Sequence, residues 1–313
     1  MSFLSSLIAA VVPMILYLIF IWRLDKYERE PLGKVLKHFL WGAVGAIFFG
    51  ILFSSVLNLA TNVFISNEGI LSLISTVLIA PFVEELVKAS FLFRTFRKNY
   101  FDNITDGLVY GGAIGLGFGM TENLFYFMMY NETFSQWIYV VIIRSIFSAV
   151  MHAIATATVG AFLAKTKFSL TPTKKSLPII GILLAMIFHA TWNFSLSFEF
   201  TSIVGIIFMV FLIIGFLLIF NLSLNNENKL IQAELLGEER IFIDEANQSF
   251  NKKYIFDKIK KKSIRKEYMN FVTKLAFRKF QAKNSSGIQK EKYLKDIELY
   301  RSKIIYLLQN HLS

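Results

Sequence analysis

Residues 201–221 read Thr-Ser-Ile-Val-Gly-Ile-Ile-Phe-Met-Val-Phe-Leu-Ile-Ile-Gly-Phe-Leu-Leu-Ile-Phe-Asn, without one charged side chain. About 20 mostly apolar residues are enough for an α-helix to cross the hydrocarbon core of a bilayer. The stretch also lacks the strict alternation of apolar and polar residues that marks a half-buried strand. It therefore predicts a membrane-spanning helix.

Six further apolar stretches of this length precede it, and the whole composition agrees with a membrane protein. The 313 residues are 55% hydrophobic and 18% charged, whereas soluble domains carry roughly 45–50% apolar and about 25% charged residues. We therefore predict an all-α, polytopic membrane bundle of about seven transmembrane helices. The predicted spans are 3–22, 36–58, 70–93, 105–130, 137–163, 177–198 and 201–221.

The basic residues between the spans alternate, which predicts the orientation of the chain. The loops at 59–69, 131–136 and 198–201 contain no Lys or Arg. Cytoplasmic loops carry an excess of Lys and Arg, so we expect the N-terminus outside and the C-terminal tail in the cytoplasm. The opposite loops carry the basic residues Arg23, Lys26, Arg29, Lys34, Lys37, Arg94, Arg97, Lys98, Lys165, Lys167, Lys174 and Lys175.

The last 92 residues differ in kind from the spans. Residues 222–313 hold 19 basic and 11 acidic side chains, against 14 and 11 in residues 1–221. Apolar residues recur at steps of three and four in 264–275 and in 293–307, on either side of a turn at 284–287, which predicts a helical hairpin. We therefore divide the chain into a transmembrane domain, 1–221, and a basic cytoplasmic helical tail, 222–313. Its Lys-rich run from Lys258 to Lys266 suits either anionic lipid headgroups or solvent, and no nucleic-acid-binding motif accompanies the charge.

Ionisable residues inside the spans are the most informative feature of the sequence. A charged side chain at the bilayer centre costs roughly 2.5–3.5 kcal/mol or more, so such residues are usually functional or paired. They lie on four successive spans, and two carboxylates and two imidazoles among them fall at similar predicted depth, where we expect a buried aqueous pocket. The residues are Glu84, Glu85 and Lys88, then Glu122 and Asn123, then Arg144 and His152, and finally His189 and Asn193.

Helical spacing predicts some of the pairings within this set. Glu84 and Lys88 are four residues apart in the favourable order, so Lys88 should neutralise Glu84, although Glu85 lies three residues from Lys88 and the opposite pairing stays open. Gly111, Gly115 and Gly119 form a close-packing face that also carries Glu122. We expect Gly115 to admit no side chain larger than Ala.

The set suits activation of water. A buried Glu acts as a general base once its environment tunes it, and Asn stabilises an oxyanion or orients a base. Two His with one or two Glu are also a ligand set that zinc accepts. No cysteine and no Gly-x-Ser-x-Gly motif is present to supply another nucleophile. A structural ion-pair cluster, a non-enzymatic receptor or scaffold that binds a proton or ion, and a transporter are the alternatives.

Several of these residues together resemble a known family. The sequence Glu84-Glu85-x-x-Lys88, the segment from Asp106-Gly107 to Glu122-Asn123, His152, and His189-x-x-x-Asn193 are similar, in this order, to the motifs of the PrsW family of bacterial intramembrane proteases. More distantly they resemble the superfamily of CAAX prenyl endopeptidases and bacteriocin-immunity proteins. The likeness covers about 80–200 by motif and does not extend to the tail.

The resemblance implies cleavage of a membrane-anchored protein in or beside a bacterial cytoplasmic membrane, as in the first cut of an anti-sigma factor. It implies Glu84 or Glu85 as the base, with Glu85 preferred because Glu84 is placed to pair with Lys88. Glu122 and His152 would orient the water or protonate the leaving amine, and His189 and Asn193 would bind the oxyanion. Lys88, Asn123 and Asp106 would support the site. A metal-free glutamic mechanism is favoured, and zinc, if bound, would be held by Glu85, Glu122, His152 and His189. The substrate, the cut site and the oligomeric state are not predicted.

Overall fold

The computed structural model describes residues 1–167, 176–236, 238 and 259–311. Lys174, Lys175 and Lys258, which the sequence places in basic segments, lie outside these residues. The described part of the chain is helical, with nine helices and no strand, which confirms the prediction of an all-α fold. The helices are α1 (Phe3–Leu24), α2 (Leu32–Asn62), α3 (Glu68–Phe96), α4 (Ile104–Met129), α5 (Phe134–Lys167), α6 (Leu177–Leu196), α7 (Ser202–Leu235), α8 (Lys262–Lys283) and α9 (Gly287–His311).

Six of the described helices, α1, α2, α3, α5, α6 and α7, are long and apolar enough to cross a membrane. The other predicted span, 105–130, forms α4, which is 26 residues long but less apolar because it contains six glycines and several polar residues. Every residue of α4 from Thr105 to Gly119 is buried. This burial shows that α4 is surrounded by other helices of the bundle. A helix that contacts protein rather than lipid does not need a strongly apolar surface.

The described residues form two compact units: the first holds Met1–Asp25, Glu30–Lys167 and 176–221, and the second holds Lys26–Arg29 and the residues from Leu222 onward. The helix α7 continues to Leu235, 14 residues past the predicted end of the last span, because hydropathy reports the apolar length and not the helical length. In the second unit, α8 and α9 form the predicted hairpin, and Gly287 begins α9 with a positive φ of 58°. Its core includes residues of the predicted seams, among them Tyr268, Leu275, Tyr293, Ile297 and Ile304.

A row of glycines joins α4 to α5. A Cβ atom added to Gly115 would clash with the backbone carbonyl of His152, and one added to Gly119 would lie 2.8 Å from the Cα atom of Ala149. Gly107 and Gly111 meet the α5 backbone in the same way. The close-packing face predicted from the sequence is therefore present, and it is tighter than predicted, because the two backbones are in contact and even Ala at Gly115 would require a shift.

Three of the spans contain a short π-helical segment, at Trp41–Ala46 in α2, Ser75–Ile79 in α3 and Arg144–Ser148 in α5. Each segment is tied to a neighbouring helix: Thr121 Oγ1 donates to the Ala43 carbonyl (2.8 Å), Asn193 Nδ2 to the Thr76 carbonyl (2.9 Å), and Trp192 Nε1 to Ser148 Oγ (3.1 Å). Such π turns are frequent at functional sites. Here two of them lie shortly before Glu84 and His152.

A separate buried polar network holds the loop between α1 and α2. Tyr110 donates its hydroxyl hydrogen to Glu30 Oε2, the Glu30 backbone N–H donates to Asp25 Oδ2 (3.0 Å), and Trp22 Nε1 donates to the Glu30 carbonyl (2.7 Å). Burial raises the pKa of Glu30 to about 8. This network anchors the loop to the start of α4.

Candidate active site

Four helices bring the polar residues predicted from the sequence together. Helix α3 contributes Glu84, Glu85 and Lys88, α4 contributes Glu122, α5 contributes His152 and α6 contributes His189. The two imidazole rings lie perpendicular with their centroids 4.7 Å apart. These side chains therefore form one connected cluster within the first unit.

Lys88 lies at the middle of the cluster. Its Nζ atom is 2.8 Å from Glu85 Oε1, 2.9 Å from His152 Nδ1 and 3.5 Å from Glu84 Oε2. The ammonium also lies 3.8 Å from the centroid of the Phe118 ring, and its side chain is fully buried. The stronger pairing is thus with Glu85, which reverses the expectation that Lys88 neutralises Glu84.

His189 connects the same carboxylate to the second glutamate of the pair. Its Nδ1 atom is 2.9 Å from Glu85 Oε1, and its Nε2 atom is 3.9 Å from Glu84 Oε2. Because an ionised carboxylate only accepts hydrogen bonds, Nδ1 carries the hydrogen. The lone pair of Nε2 is then available on the Glu84 side.

His152 has partners on both ring nitrogens. A lysine ammonium has donors only, so Nδ1 of His152 accepts from Lys88. The neutral ring then carries its hydrogen on Nε2, which lies 2.7 Å from Glu122 Oε2. The same carboxylate oxygen lies 2.7 Å from Arg144 Nη2.

One carboxylate of the cluster makes only a longer contact with a cation. Glu85 pairs with Lys88 and Glu122 pairs with Arg144, each at under 3 Å. Glu84 Oε2 lies 3.5 Å from Lys88 Nζ, and among the described residues both Glu84 Oε2 and Glu85 Oε2 are buried without a hydrogen-bond partner. The Glu84 side chain is also 16% exposed, whereas that of Glu85 is fully buried. Glu84 is therefore the more exposed glutamate of the pair and the one with the longer contact to Lys88.

Asn193, Asn123 and Asp106 lie outside this direct network. The amide of Asn193 is bonded to the Thr76 carbonyl, where it ties α6 to the π segment before Glu84. Asn123 Oδ1 accepts from Arg144 Nε at 3.1 Å. Asp106 forms the capping box at the start of α4 with Asn103, and the 16 residues to Glu122 place it about 24 Å away along the helix.

Arg144 belongs to the site, although the sequence does not predict a catalytic or supporting role for it. It is an ionisable residue within a span and lies eight residues before His152. On a regular α-helix this spacing places the two side chains about 80° apart, so the sequence does not predict that they meet. The π segment that begins at Arg144 absorbs an extra residue, so the spacing behaves like seven residues, or two turns. The available signal was the arginine itself, since a buried arginine in a span needs an acidic partner.

The site contains a donor set of the kind that zinc uses. One ligand atom each from Glu84, His152 and His189 lie within 4.8 Å of one another, and two His with one Glu form catalytic zinc sites. The described residues thus favour Glu84 as the carboxylate ligand over the predicted Glu85 and Glu122. These residues fit a zinc ion in donor type and spacing only, because both nitrogens of His152 already contact Lys88 and Glu122.

The amino-acid sequence is similar to those of known membrane proteases. A family model described as PrsW family intramembrane metalloprotease matches residues 30–219, which include every residue of the site. A protein named Protease PrsW from Clostridioides difficile is 30% identical over 214 residues, covering 67% of this chain and 87% of that relative. Proteins of the same name from Oceanobacillus iheyensis (28% identity, 73% of this chain and 99% of the relative) and Bacillus subtilis (27% identity, 60% and 81%) are also similar. No solved structure matches.

Proposed function

This chain belongs to the PrsW family of intramembrane proteases, and on that premise we propose that Glu84 activates a water molecule to hydrolyse a peptide bond in or beside the membrane. The substrate is a membrane-anchored protein, of the anti-sigma-factor type that the family resemblance suggests. The observation that carries the choice of base is the longer contact of Glu84 with Lys88, 3.5 Å against 2.8 Å for Glu85. A base must be able to accept a proton, and Glu85 and Glu122 are each held by a cation at under 3 Å.

The geometry around Glu84 suits a water molecule. Glu84 Oε2 and His189 Nε2 are 3.9 Å apart, a separation that one water spans with two hydrogen bonds of about 2.8 Å. With both hydrogens accepted, the oxygen lone pairs are directed at a substrate carbonyl. Glu84 takes a proton as the water oxygen bonds to the carbonyl carbon, and it passes that proton to the amine nitrogen as the C–N bond breaks. His152, Lys88 and Glu85 hold His189 and Glu84 in place through the contacts described above.

A zinc ion, if bound, would be held by Glu84, His152 and His189 and would polarise the carbonyl and acidify water. We propose the metal-free reaction, because Lys88 already places a positive charge 2.9 Å from His152 Nδ1. A divalent cation at that nitrogen would have to displace the ammonium.

The exposed face beside the base suits an apolar substrate segment. Two apolar grooves of about 610 and 450 Å³ run along α3 and share Leu57 and Phe82. The smaller groove is also lined by Pro81 and Ala190, which are close in sequence to Glu84 and His189. A membrane-spanning segment that enters here approaches the proposed base.

Purified protein incubated with a panel of single-span peptides tests the proposal. We expect cleavage of at least one peptide that persists with a chelator, substoichiometric zinc by elemental analysis, and loss of cleavage in Glu84→Gln. Glu68→Gln, which changes an exposed carboxylate in the first turn of α3, is the matched control. Stoichiometric zinc that is lost in His152→Ala and restored together with activity on re-addition would contradict the metal-free reaction. Absence of cleavage across the panel by the wild type would contradict the proposed activity itself.

The proposed orientation places the N-terminus outside and the tail in the cytoplasm. The chain contains no cysteine, so a single introduced cysteine reports its own location without background. We expect Ser66→Cys, in the exposed loop before α3, to react with a membrane-impermeant maleimide in intact cells. Ser286→Cys, in the exposed turn before α9, should react only after permeabilisation. The reverse pattern would show that the orientation is wrong.

A further inference from the structure

Arg144 is a buried cation that contacts three side chains of α4. Its Nη2 atom is 2.7 Å from Glu122 Oε2, and its Nε atom donates to Asn123 Oδ1 at 3.1 Å. The guanidinium carbon lies 3.6 Å from the centroid of the Tyr126 ring. Three side chains of α4 thus fix this one group, which belongs to α5 and is only about a tenth exposed.

The carboxylate that Arg144 binds is also the partner of His152. Glu122 Oε2 lies 2.7 Å from both Arg144 Nη2 and His152 Nε2. Glu122 is 22% exposed, so burial alone does not hold its side chain. The position of its carboxylate is set by these two contacts, and the contact with Arg144 is independent of the imidazole.

The position of Glu122 in turn decides which nitrogen of His152 carries the hydrogen. An imidazole in contact with a donor at Nδ1 and an acceptor at Nε2 adopts the Nε2–H form. If the carboxylate moves away, the Nε2–H form loses the acceptor that favours it. His152 also contacts Lys88, which in turn binds Glu85 beside the proposed base, so a displaced His152 disturbs the cluster as a whole.

We propose that Arg144 is a positioning residue, which holds Glu122 against His152 and so fixes the orientation and tautomer of that ring. This inference deepens the function proposed above and rests on it only for the effect on catalysis. The contacts described for Arg144 include neither Glu84 nor the proposed water site. Its effect passes through Glu122 and His152.

Nitrogen NMR spectroscopy of ¹⁵N-histidine-labelled protein tests the positioning directly. The chain has four histidines, and a His152→Gln sample assigns the signals of His152. We expect the Nε2–H form in the wild type and in Arg144→Lys, and a mixture of tautomers in Arg144→Gln. Arg94→Gln, which removes an exposed arginine of α3, is the control and should leave the His152 signals unchanged. Wild-type His152 signals in Arg144→Gln would overturn the proposal, whether or not a substrate has been found.

Kinetics with a cleaved peptide separate positioning from binding. Misplacement of a reacting group by about 1 Å costs about 10²-fold in rate, so we expect kcat to fall about 10- to 100-fold in Arg144→Gln, with KM within about twofold of the wild type. Arg144→Lys should recover most of the loss. A change confined to KM, or no recovery in a stably folded Arg144→Lys, would contradict the proposal.

The double variant Glu122→Gln/Arg144→Gln guards against a trivial loss of folding. Arg144→Gln leaves Glu122 without its cation, whereas the double variant removes both charges and keeps similar shapes. If Arg144 acts through Glu122, the double variant should lose no more kcat than Glu122→Gln alone, because coupled residues do not add. Losses that multiply would show that Arg144 acts by another route.

Discussion

Glu84→Gln is expected to lower kcat by two to four orders of magnitude while the protein folds and still binds its substrate. General acid–base assistance is worth typically 10²–10⁴-fold, and Gln removes proton acceptance with almost no change in shape. Glu84 Oε2 has no hydrogen-bond partner among the described residues, so the substitution breaks no hydrogen bond of that oxygen and weakens only its 3.5 Å contact with Lys88. The measurements are kcat with a cleaved single-span peptide, thermal stability in detergent, and retention of the peptide on immobilised protein.

Glu85→Gln is the matched variant on the next residue, and its expected defect is different. Glu85 Oε1 binds both Lys88 (2.8 Å) and His189 (2.9 Å) inside the protein. Loss of one partner of a buried ion pair costs roughly 3–5 kcal/mol, so we expect a lower thermal stability together with lower activity. A stable but inactive Glu85→Gln beside an active Glu84→Gln would assign the base to Glu85, as the sequence first suggested.

The contrast between these two glutamates shows where prediction from sequence ends. Composition and hydropathy were sufficient to predict the helical bundle, and the cost of charge in a membrane directed attention to the right polar residues. The spacing of three and four residues, however, places both Glu84 and Glu85 within reach of Lys88. His189, from a helix more than 100 residues further along the chain, binds Glu85 and thereby favours one arrangement, which local spacing cannot reveal.

Departures from regular α-helix explain the other differences. The π segment at Arg144–Ser148 brings Arg144 and His152 to one face of α5. A regular step of 100° per residue would separate them by about 80°. Asn193, whose role in binding an oxyanion stays a prediction, donates to the Thr76 carbonyl within another π segment. Hydropathy patterns carry no signal for such turns, because one extra residue in a helix leaves its composition unchanged.

Packing sets the second large expected effect, at Gly115. A Cβ atom there would lie 2.2 Å from the carbonyl oxygen of His152 and 2.6 Å from the Cα atom of Ala153. Backbone cannot rotate away as a side chain can, so α5 must shift to accommodate even a methyl group. We expect Gly115→Leu to yield no folded protein. Gly115→Ala should be destabilised by about 1–3 kcal/mol, the usual cost of overpacking.

The shift forced by Gly115→Ala should reduce activity more than it reduces stability. It displaces the backbone of His152 itself, and His152 must meet Lys88 and Glu122 at 2.9 and 2.7 Å at the same time. Gly215→Ala is the matched control, because nothing lies within 4 Å of a Cβ atom at Gly215 in α7. Thermal unfolding in detergent and kcat are measured for both variants at a temperature where each is folded. If Gly115→Ala matched Gly215→Ala in both, the contact between α4 and α5 would have to be looser than the structure has it, and the glycine face would not be what places His152 in the site.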